Sequence, residues 1–139
     1  MKQILIILLL AFSTNAFCQT NKSKLKSGLS ITNQWIISSF DEKEDTLFSV
    51  SKSSFINIDE KKQKFEGNGA CNTISGNVII LKNTIKFKNI TVTKKVCENS
   101  AQEKKFIATL KMATHFKIVS CELFLYKGKK LIMTLESCR

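Results

Sequence analysis

The sequence predicts an α+β domain in which a curved, barrel-like antiparallel β-sheet wraps around one main helix. Three features of the chain predict this class. Short segments with strand-like alternation of apolar and polar residues occupy most of the chain from residue 34 onward. One later segment has the periodicity of a helix, and strand-like alternation returns after it. Strands on both sides of a single helix favour one sheet packed against that helix.

The strands predicted before the helix are short and are separated by polar or charged breaks. Alternation is clearest over residues 84–88, where Ile85 and Phe87 share one face and lysines occupy the other. Lys82 and Asn83 are predicted to form the turn before this strand. The predicted strands cover residues 34–40, 46–50, 54–59, 64–66, 76–82 and 84–88.

A helix is predicted to begin near Ser100, because Ser100 and Glu103 form an S-x-x-E capping box. Its apolar face is formed by Phe106, Ile107, Leu110 and Ala113. Alternation returns over residues 115–119, and a hairpin around the turn at residues 127–130 closes the chain.

The amino terminus is typical of a secretory signal peptide. Lys2 precedes an apolar run over residues 4–12, which is too short for a membrane-spanning helix. We expect a signal peptide over residues 1–18, a flexible leader over 19–32 and a folded domain over 33–139. The protein is then exported to the periplasm or secreted, with Gln19 as its first residue. In the alternative interpretation, Cys18 is the lipid-modified anchor of a lipoprotein.

Cys71, Cys97, Cys121 and Cys138 remain after export, and cysteines in an oxidising compartment pair by default. Four cysteines permit three connectivities. We favour Cys71 with Cys97 and Cys121 with Cys138, because the second pair brackets the closing hairpin. Zinc is the alternative, but the close C-x-x-C spacing of structural zinc sites is missing from the sequence, so we expect no metal.

The chain is basic, with 22 Lys plus Arg against 11 Asp plus Glu and a formal net charge of +11. Arg139 is the sole arginine. Proteins that recognise nucleic-acid bases and phosphates specifically rely on arginine, because its guanidinium group can form two parallel hydrogen bonds. We therefore expect no nucleic-acid partner. Weak association with anionic surfaces is one interpretation of the charge. The other is that the lysines, which are scattered along the sequence, only solvate the surface.

Several segments together resemble the META domain, the heat-inducible HslJ-type family of bacterial envelope proteins. The resemblance lies in GNGACNTISG from Gly67, TVTKKVC ending at Cys97, the helical EKKFIATL and the closing CELFLYKGKKLIMTLE. Three positions depart from the family pattern: Ala70 replaces a glycine, Ile74 a common aromatic residue, and Lys94 an arginine. Cys121 and Cys138 are not part of that pattern.

The resemblance implies an exported or membrane-attached protein linked to heat, antibiotic or envelope stress, with no established catalytic activity or cofactor. Its candidate motif residues are Gly67, Gly69, Asn72, Gly76, Thr93 and Lys94. The structural interpretation is that the glycines permit close approach and Asn72 bonds within a turn. The functional interpretation is a small polar binding site formed by the turn at Cys71 and Asn72 with Thr93 and Lys94.

Catalysis is not expected. His115 is the only histidine, and a Cys–His hydrolase would need a free cysteine beside it and a third residue to orient its ring. We therefore expect no catalytic residue and no cofactor. The predicted function is a monomeric, non-enzymatic binding or protective module whose partner is an unknown protein or envelope component. The alternatives are a secreted inhibitor that presents the loop at residues 40–45, and a binder of anionic envelope surfaces.

Overall fold

The computed structural model describes residues 30–40, 54–96 and 100–137. Within these ranges the chain forms eight strands and one helix. In chain order they are β1 (Gln34–Phe40), β2 (Phe55–Asp59), β3 (Lys64–Asn68), β4 (Thr73–Leu81), β5 (Thr84–Val92), α1 (Ser100–Met112), β6 (His115–Val119), β7 (Glu122–Lys127) and β8 (Lys130–Glu136).

The strands form a closed antiparallel ring in which each strand pairs with its neighbour in sequence. β1 pairs with β8 and so closes the ring, with Ile37 opposite Leu135. The join between β5 and β6 is the narrowest, with Thr84 opposite His115 as its single paired position, and the helix lies between these two strands in the sequence. The predicted α+β class, with a curved antiparallel sheet and one main helix, is confirmed.

Three strands differ clearly in length from the prediction. β5 continues to Val92, beyond the predicted end at Lys88. The differences in β3 and β4 arise because glycine was taken as a boundary. β3 continues through Gly67 to Asn68, and β4 begins at Thr73 rather than at Gly76. Both glycines are paired within strands, since Gly67 lies opposite Ile74 and Gly76 lies opposite Phe65. The strand predicted over residues 46–50 lies outside the described residues.

The core lies between the inner face of the ring and the helix. Trp35 and Phe106 are fully buried, and the indole nitrogen of Trp35 donates a hydrogen bond to the carbonyl oxygen of Ile31 at 2.9 Å. The helix contributes Phe106 and Leu110 to the same core as the strands. Burial of each large apolar side chain contributes about 1.5–3 kcal/mol to the stability of the folded state. This shared core therefore stabilises both the ring and the helix.

The predicted signal peptide and most of the predicted leader, residues 1–29, lie outside the described residues. In the part of the chain that the structure describes, no helix combines the length and apolar character needed to cross a bilayer.

Candidate functional site

Asn72 occupies the turn between β3 and β4 and binds the first turn of the helix. Its backbone amide donates to Oε2 of Glu103 at 2.6 Å, and its side-chain amide donates to Oε1 at 2.9 Å. Both residues are buried. The carboxylate of Glu103 therefore receives one hydrogen bond on each oxygen, and hydrogen bonds to a charged group are the strong ones.

The remaining polar atoms of Asn72 bind the end of β5 and its own turn. Its Oδ1 accepts hydrogen bonds from the Thr93 hydroxyl at 2.9 Å and from the Lys95 amide at 2.7 Å. Its carbonyl oxygen accepts from the amide of Gly69 at 2.8 Å. The Asn72 network, formed by Gly69, Asn72, Thr93, Lys95 and Glu103, thus ties the β3–β4 turn to the end of β5 and to the helix.

Gly69 leaves the space that Glu103 fills. A Cβ atom at Gly69 would lie 2.7 Å from Cγ of Glu103 and 2.9 Å from its Oε2. The next residue, Ala70, has a φ of 100°, a backbone conformation that favours glycine. This is the position at which the family pattern has glycine, so the departure noted in the sequence carries conformational strain.

Gly67 and Gly76 lie in strands away from the network, and each permits a close contact. A Cβ atom at Gly67 would overlap the carbonyl oxygen of Phe55, and one at Gly76 would lie 2.7 Å from both the Lys88 carbonyl oxygen and Cε1 of Phe65. Lys94 is exposed. The network contains the amide of Lys95 rather than the side chain of Lys94. Of the predicted motif residues, the structure therefore brings together Gly69, Asn72 and Thr93.

Glu103 is the residue of this network that the sequence analysis missed. Its place in an S-x-x-E pattern predicted a bond back to Ser100, whereas its two oxygens accept from Asn72. A signal was present, because Glu103 lies three and seven residues before Phe106 and Leu110 and so shares their buried face. Gln102 was missed as well: its Nε2 donates to the buried Ser54 hydroxyl at 3.1 Å.

The two described cysteines, Cys71 and Cys121, lie at separate places in the ring. Sγ of Cys71 lies 3.8 Å from the carbonyl oxygen of Lys95, two residues before Cys97. The carbonyl oxygen of Cys121 accepts a hydrogen bond from the amide of Ser137 at 2.9 Å. Cys97 and Cys138 lie outside the described residues, so the predicted pairing stays a prediction.

His115 is remote from both described cysteines. Cys71 lies beside the first turn of the helix and His115 follows its last turn, and a helix of 13 residues rises about 19 Å. Cys121 lies beyond the other end of β6, a strand that rises about 13 Å from His115 to Val119. Nδ1 of His115 lies instead 2.9 Å from the hydroxyl of Thr114.

An open cavity of about 700 Å³ lies over β2, β3 and β4, separate from the Asn72 network. Its polar lining includes Thr32, Asn33, Asn57, Lys64, Glu66 and Asn77. Neighbouring strands place these groups side by side, with Asn57 opposite Glu66 and Lys64 opposite Asn77. Amides, a hydroxyl and charges of both signs make this a surface that can hydrogen-bond a polar ligand.

One charged pair borders the cavity. The backbone amide of Lys62 donates to Asp59 at 3.0 Å, and its ammonium group lies 3.1 Å from the same carboxylate. The backbone hydrogen bond from Lys62 is the largest cause that lowers the pKa of Asp59 below its usual value, and the side chain of Lys62 lowers it further. Asp59 is therefore ionised at neutral pH. In the loop predicted to contact a partner, residues 41–45 lie outside the described residues.

Comparisons with known proteins identify the family and the fold. The family model described as the META domain matches residues 25–137. No curated protein matches the chain. A DUF4847 family protein from Bacteroides vulgatus is 18% identical, with a TM-score of 0.56 over 76% of this chain and 92% of that one. A protein from Burkholderia xenovorans is 13% identical, with a TM-score of 0.61 over 77% of this chain and 82% of that one.

Proposed function

This chain belongs to the META domain family, and from that premise we propose that it is an exported, non-enzymatic binding or protective module of the bacterial envelope. Its role is in heat or antibiotic stress, and its ligand is an envelope component or a protein. Export follows from the signal peptide predicted over residues 1–18.

The observation that carries the binding role is the polar cavity over β2–β4. Ligand sites in proteins are concave and place a few polar groups where they fix the orientation of the ligand. Here Asn57, Lys64 and Glu66 lie on adjacent strands that pair in register along one wall of the cavity. A rigid antiparallel sheet holds such groups in place without the entropic cost of ordering a loop.

The Asn72 network supports a structural role for the family motif. Both oxygens of Glu103 and the backbone and side-chain groups of Asn72 are engaged in hydrogen bonds within the chain. A ligand at this point would have to replace those bonds. The motif is therefore better suited to holding the turn, the end of β5 and the helix together than to binding a ligand.

The non-enzymatic part of the proposal is supported by the placement of His115. It lies about 19 Å along the helix from the turn that contains Cys71. A cysteine nucleophile must lie within hydrogen-bond reach of its base. Turnover of a peptide or ester substrate by the purified protein, abolished by His115→Ala, would contradict this part of the proposal.

The binding role is tested by complementation of a strain that lacks the gene. We expect the Lys64→Ala/Glu66→Ala variant to lose most of the protection against heat or antibiotic that the wild-type chain restores. This variant removes one charge of each sign from the cavity and so leaves the net charge unchanged. Survival after a timed challenge is the measurement, with the amount of exported protein determined by immunoblot.

The matched control is Lys117→Ala/Glu122→Ala, which removes the same two charges from exposed positions on β6 and β7. It should protect as well as the wild type. Full protection by the cavity variant, at equal protein level, would rule out the cavity as the binding surface.

A further inference from the structure

Three segments that are distant in sequence meet at Thr114. Its carbonyl oxygen accepts from the amide of Ile85, just after the β4–β5 turn, at 3.1 Å. Its hydroxyl accepts from the amide of Gly128, in the β7–β8 turn, at 2.8 Å. Thr114 itself follows the helix, which ends at Met112. These contacts place the β4–β5 turn, the end of the helix and the β7–β8 turn around Thr114, and we call this part of the surface the Thr114 region.

Each of these three segments carries exposed lysines. Among them are Lys82 in the β4–β5 turn, Lys111 in the last turn of the helix, and Lys127 and Lys129 at the β7–β8 turn. No Asp or Glu occurs in residues 81–84, 111–115 or 127–130. The nearest acidic residues along the closing hairpin, Glu122 and Glu136, pair with each other at its opposite end. Among the described residues, the three segments around Thr114 therefore carry positive charge only.

Two exposed apolar side chains lie among these lysines. Leu81, at the end of β4, is 69% exposed, and Met112 is 40% exposed. Met112 belongs to the same surface as the lysines, since its sulfur lies 4.0 Å from the ammonium nitrogen of Lys127. Exposed apolar side chains flanked by cations are typical of proteins that lie on the surface of an anionic bilayer.

We propose that this surface, formed by Leu81, Lys82, Lys111, Met112, Lys127 and Lys129, docks on an anionic lipid bilayer. The four lysines bind the phosphate headgroups, and Leu81 and Met112 enter the boundary between headgroups and acyl chains. Leu81 and Met112 favour a bilayer over a soluble anionic polymer as the partner. Such a polymer could bind the lysines but has no apolar region for Leu81. The inference rests on the proposed export, because export brings the protein to an envelope membrane.

The test is co-sedimentation of the chain, as its native host processes it, with vesicles of phosphatidylglycerol and phosphatidylcholine. Pure phosphatidylcholine vesicles give the background. We expect binding to the anionic vesicles that decreases as salt is raised, because salt screens the lysines. The variant K82Q/K111Q/K127Q/K129Q should bind several hundred-fold more weakly at low salt, at about fivefold per lysine near the surface.

The matched control, K61Q/K88Q/K94Q/K104Q, removes the same charge from exposed positions elsewhere and should retain most of the binding. Equal loss in both quadruple variants would overturn the proposal, because attraction would then follow net charge alone. Thermal melts of each variant establish that it folds.

The apolar pair is tested with L81S/M112S, measured on the same vesicles and on dextran sulfate. We expect weaker binding to vesicles and unchanged binding to the polymer. Unchanged binding to vesicles would overturn the bilayer as the partner. Export is measured separately, from the amino terminus of the mature protein, so loss of vesicle binding and failure of export are distinguishable.

Discussion

At the scale of single residues, Asn72 shows how one side chain specifies a position. It donates to Glu103 through Nδ2 and accepts from Thr93 and Lys95 through Oδ1. Aspartate has the same shape but would place a second carboxylate against Glu103 and remove a donor. An aliphatic residue would leave the buried carboxylate short of a partner, at a cost of about 1–3 kcal/mol. Asparagine can both donate to Glu103 and accept from Thr93 and Lys95.

Ala70 lies two residues earlier at a φ of 100°, which strains any residue with a Cβ atom. We expect Ala70→Gly to raise the free energy of unfolding by about 1 kcal/mol, equivalent to an increase of about 4 °C in Tm. Thermal unfolding followed by circular dichroism measures the change. The same substitution at Ala108, an exposed position inside the helix, should lower stability by about 1 kcal/mol. If both substitutions lowered the free energy of unfolding, the inference that Ala70 is strained would be wrong.

At the scale of elements, the helix depends on contacts near its start as well as on its apolar face. A helix of 13 residues is marginal in isolation, so tertiary contacts determine whether it forms. Glu103 binds Asn72 in one turn of the sheet, and Gln102 binds Ser54 just before β2. These two polar contacts fix where the helix begins, while Phe106 and Leu110 fix which face is buried.

We expect Glu103→Ala to lower the free energy of unfolding by about 2–3 kcal/mol, because two buried donors of Asn72 lose a charged acceptor. Glu103→Gln should cost less, since one of its two terminal atoms still accepts. Urea denaturation measures both. Glu122→Ala, an exposed carboxylate on β7, is the control and should change stability by no more than about 0.5 kcal/mol.

A double-mutant cycle that combines Glu103→Ala with Asn72→Ala measures the interaction energy between these two residues. The combined cost should be clearly less than the sum of the two single costs, because both substitutions remove the same hydrogen bonds. Additive costs would show that Glu103 stabilises the helix by some other contact.

At the scale of the whole molecule, the ring brings together the two ends of the described domain. β1 pairs with β8, and the side-chain amide of Asn33 donates to the Ser137 hydroxyl at 2.8 Å. At the open end of the β7–β8 hairpin, the amide of Ser137 donates to the carbonyl oxygen of Cys121, and Cys138 follows Ser137 in the sequence. A disulfide between Cys121 and Cys138 would then staple the closing hairpin at its open end.

We expect a non-reducing peptide map of the protein exported by its native host to begin at Gln19 and to join Cys71 to Cys97 and Cys121 to Cys138. Each bridge should contribute about 3 kcal/mol, which the double variant Cys121→Ser/Cys138→Ser would lose for the second bridge. Lipid on Cys18 would instead indicate a membrane-anchored protein. Free thiols at Cys71 and Cys97 would contradict the predicted pairing.

Much of the architecture could be predicted from the sequence because its determinants are local. The alternation around Ile85 and Phe87 predicted β5, and the spacing of Phe106 and Leu110 predicted the helix. The order of these elements predicted the α+β class, and the Gly67–Cys97 motifs predicted the family. The ends of β3 and β4 were wrong because glycine is also tolerated within a strand where another backbone or an aromatic ring approaches closely.

The candidate surfaces were decided by the tertiary structure. Asn72 and Glu103 are separated by 31 residues, and only the crossing of the helix over the β3–β4 turn joins them. The lysines around Thr114 are scattered along the sequence, yet two turns and the end of the helix bring them together. Periodicity is a property of neighbouring residues, so the sequence determined the elements, the core faces and the family. Which polar groups meet depends on ring closure and on the path of the helix, so the tertiary structure decided the network, the cavity and the basic surface.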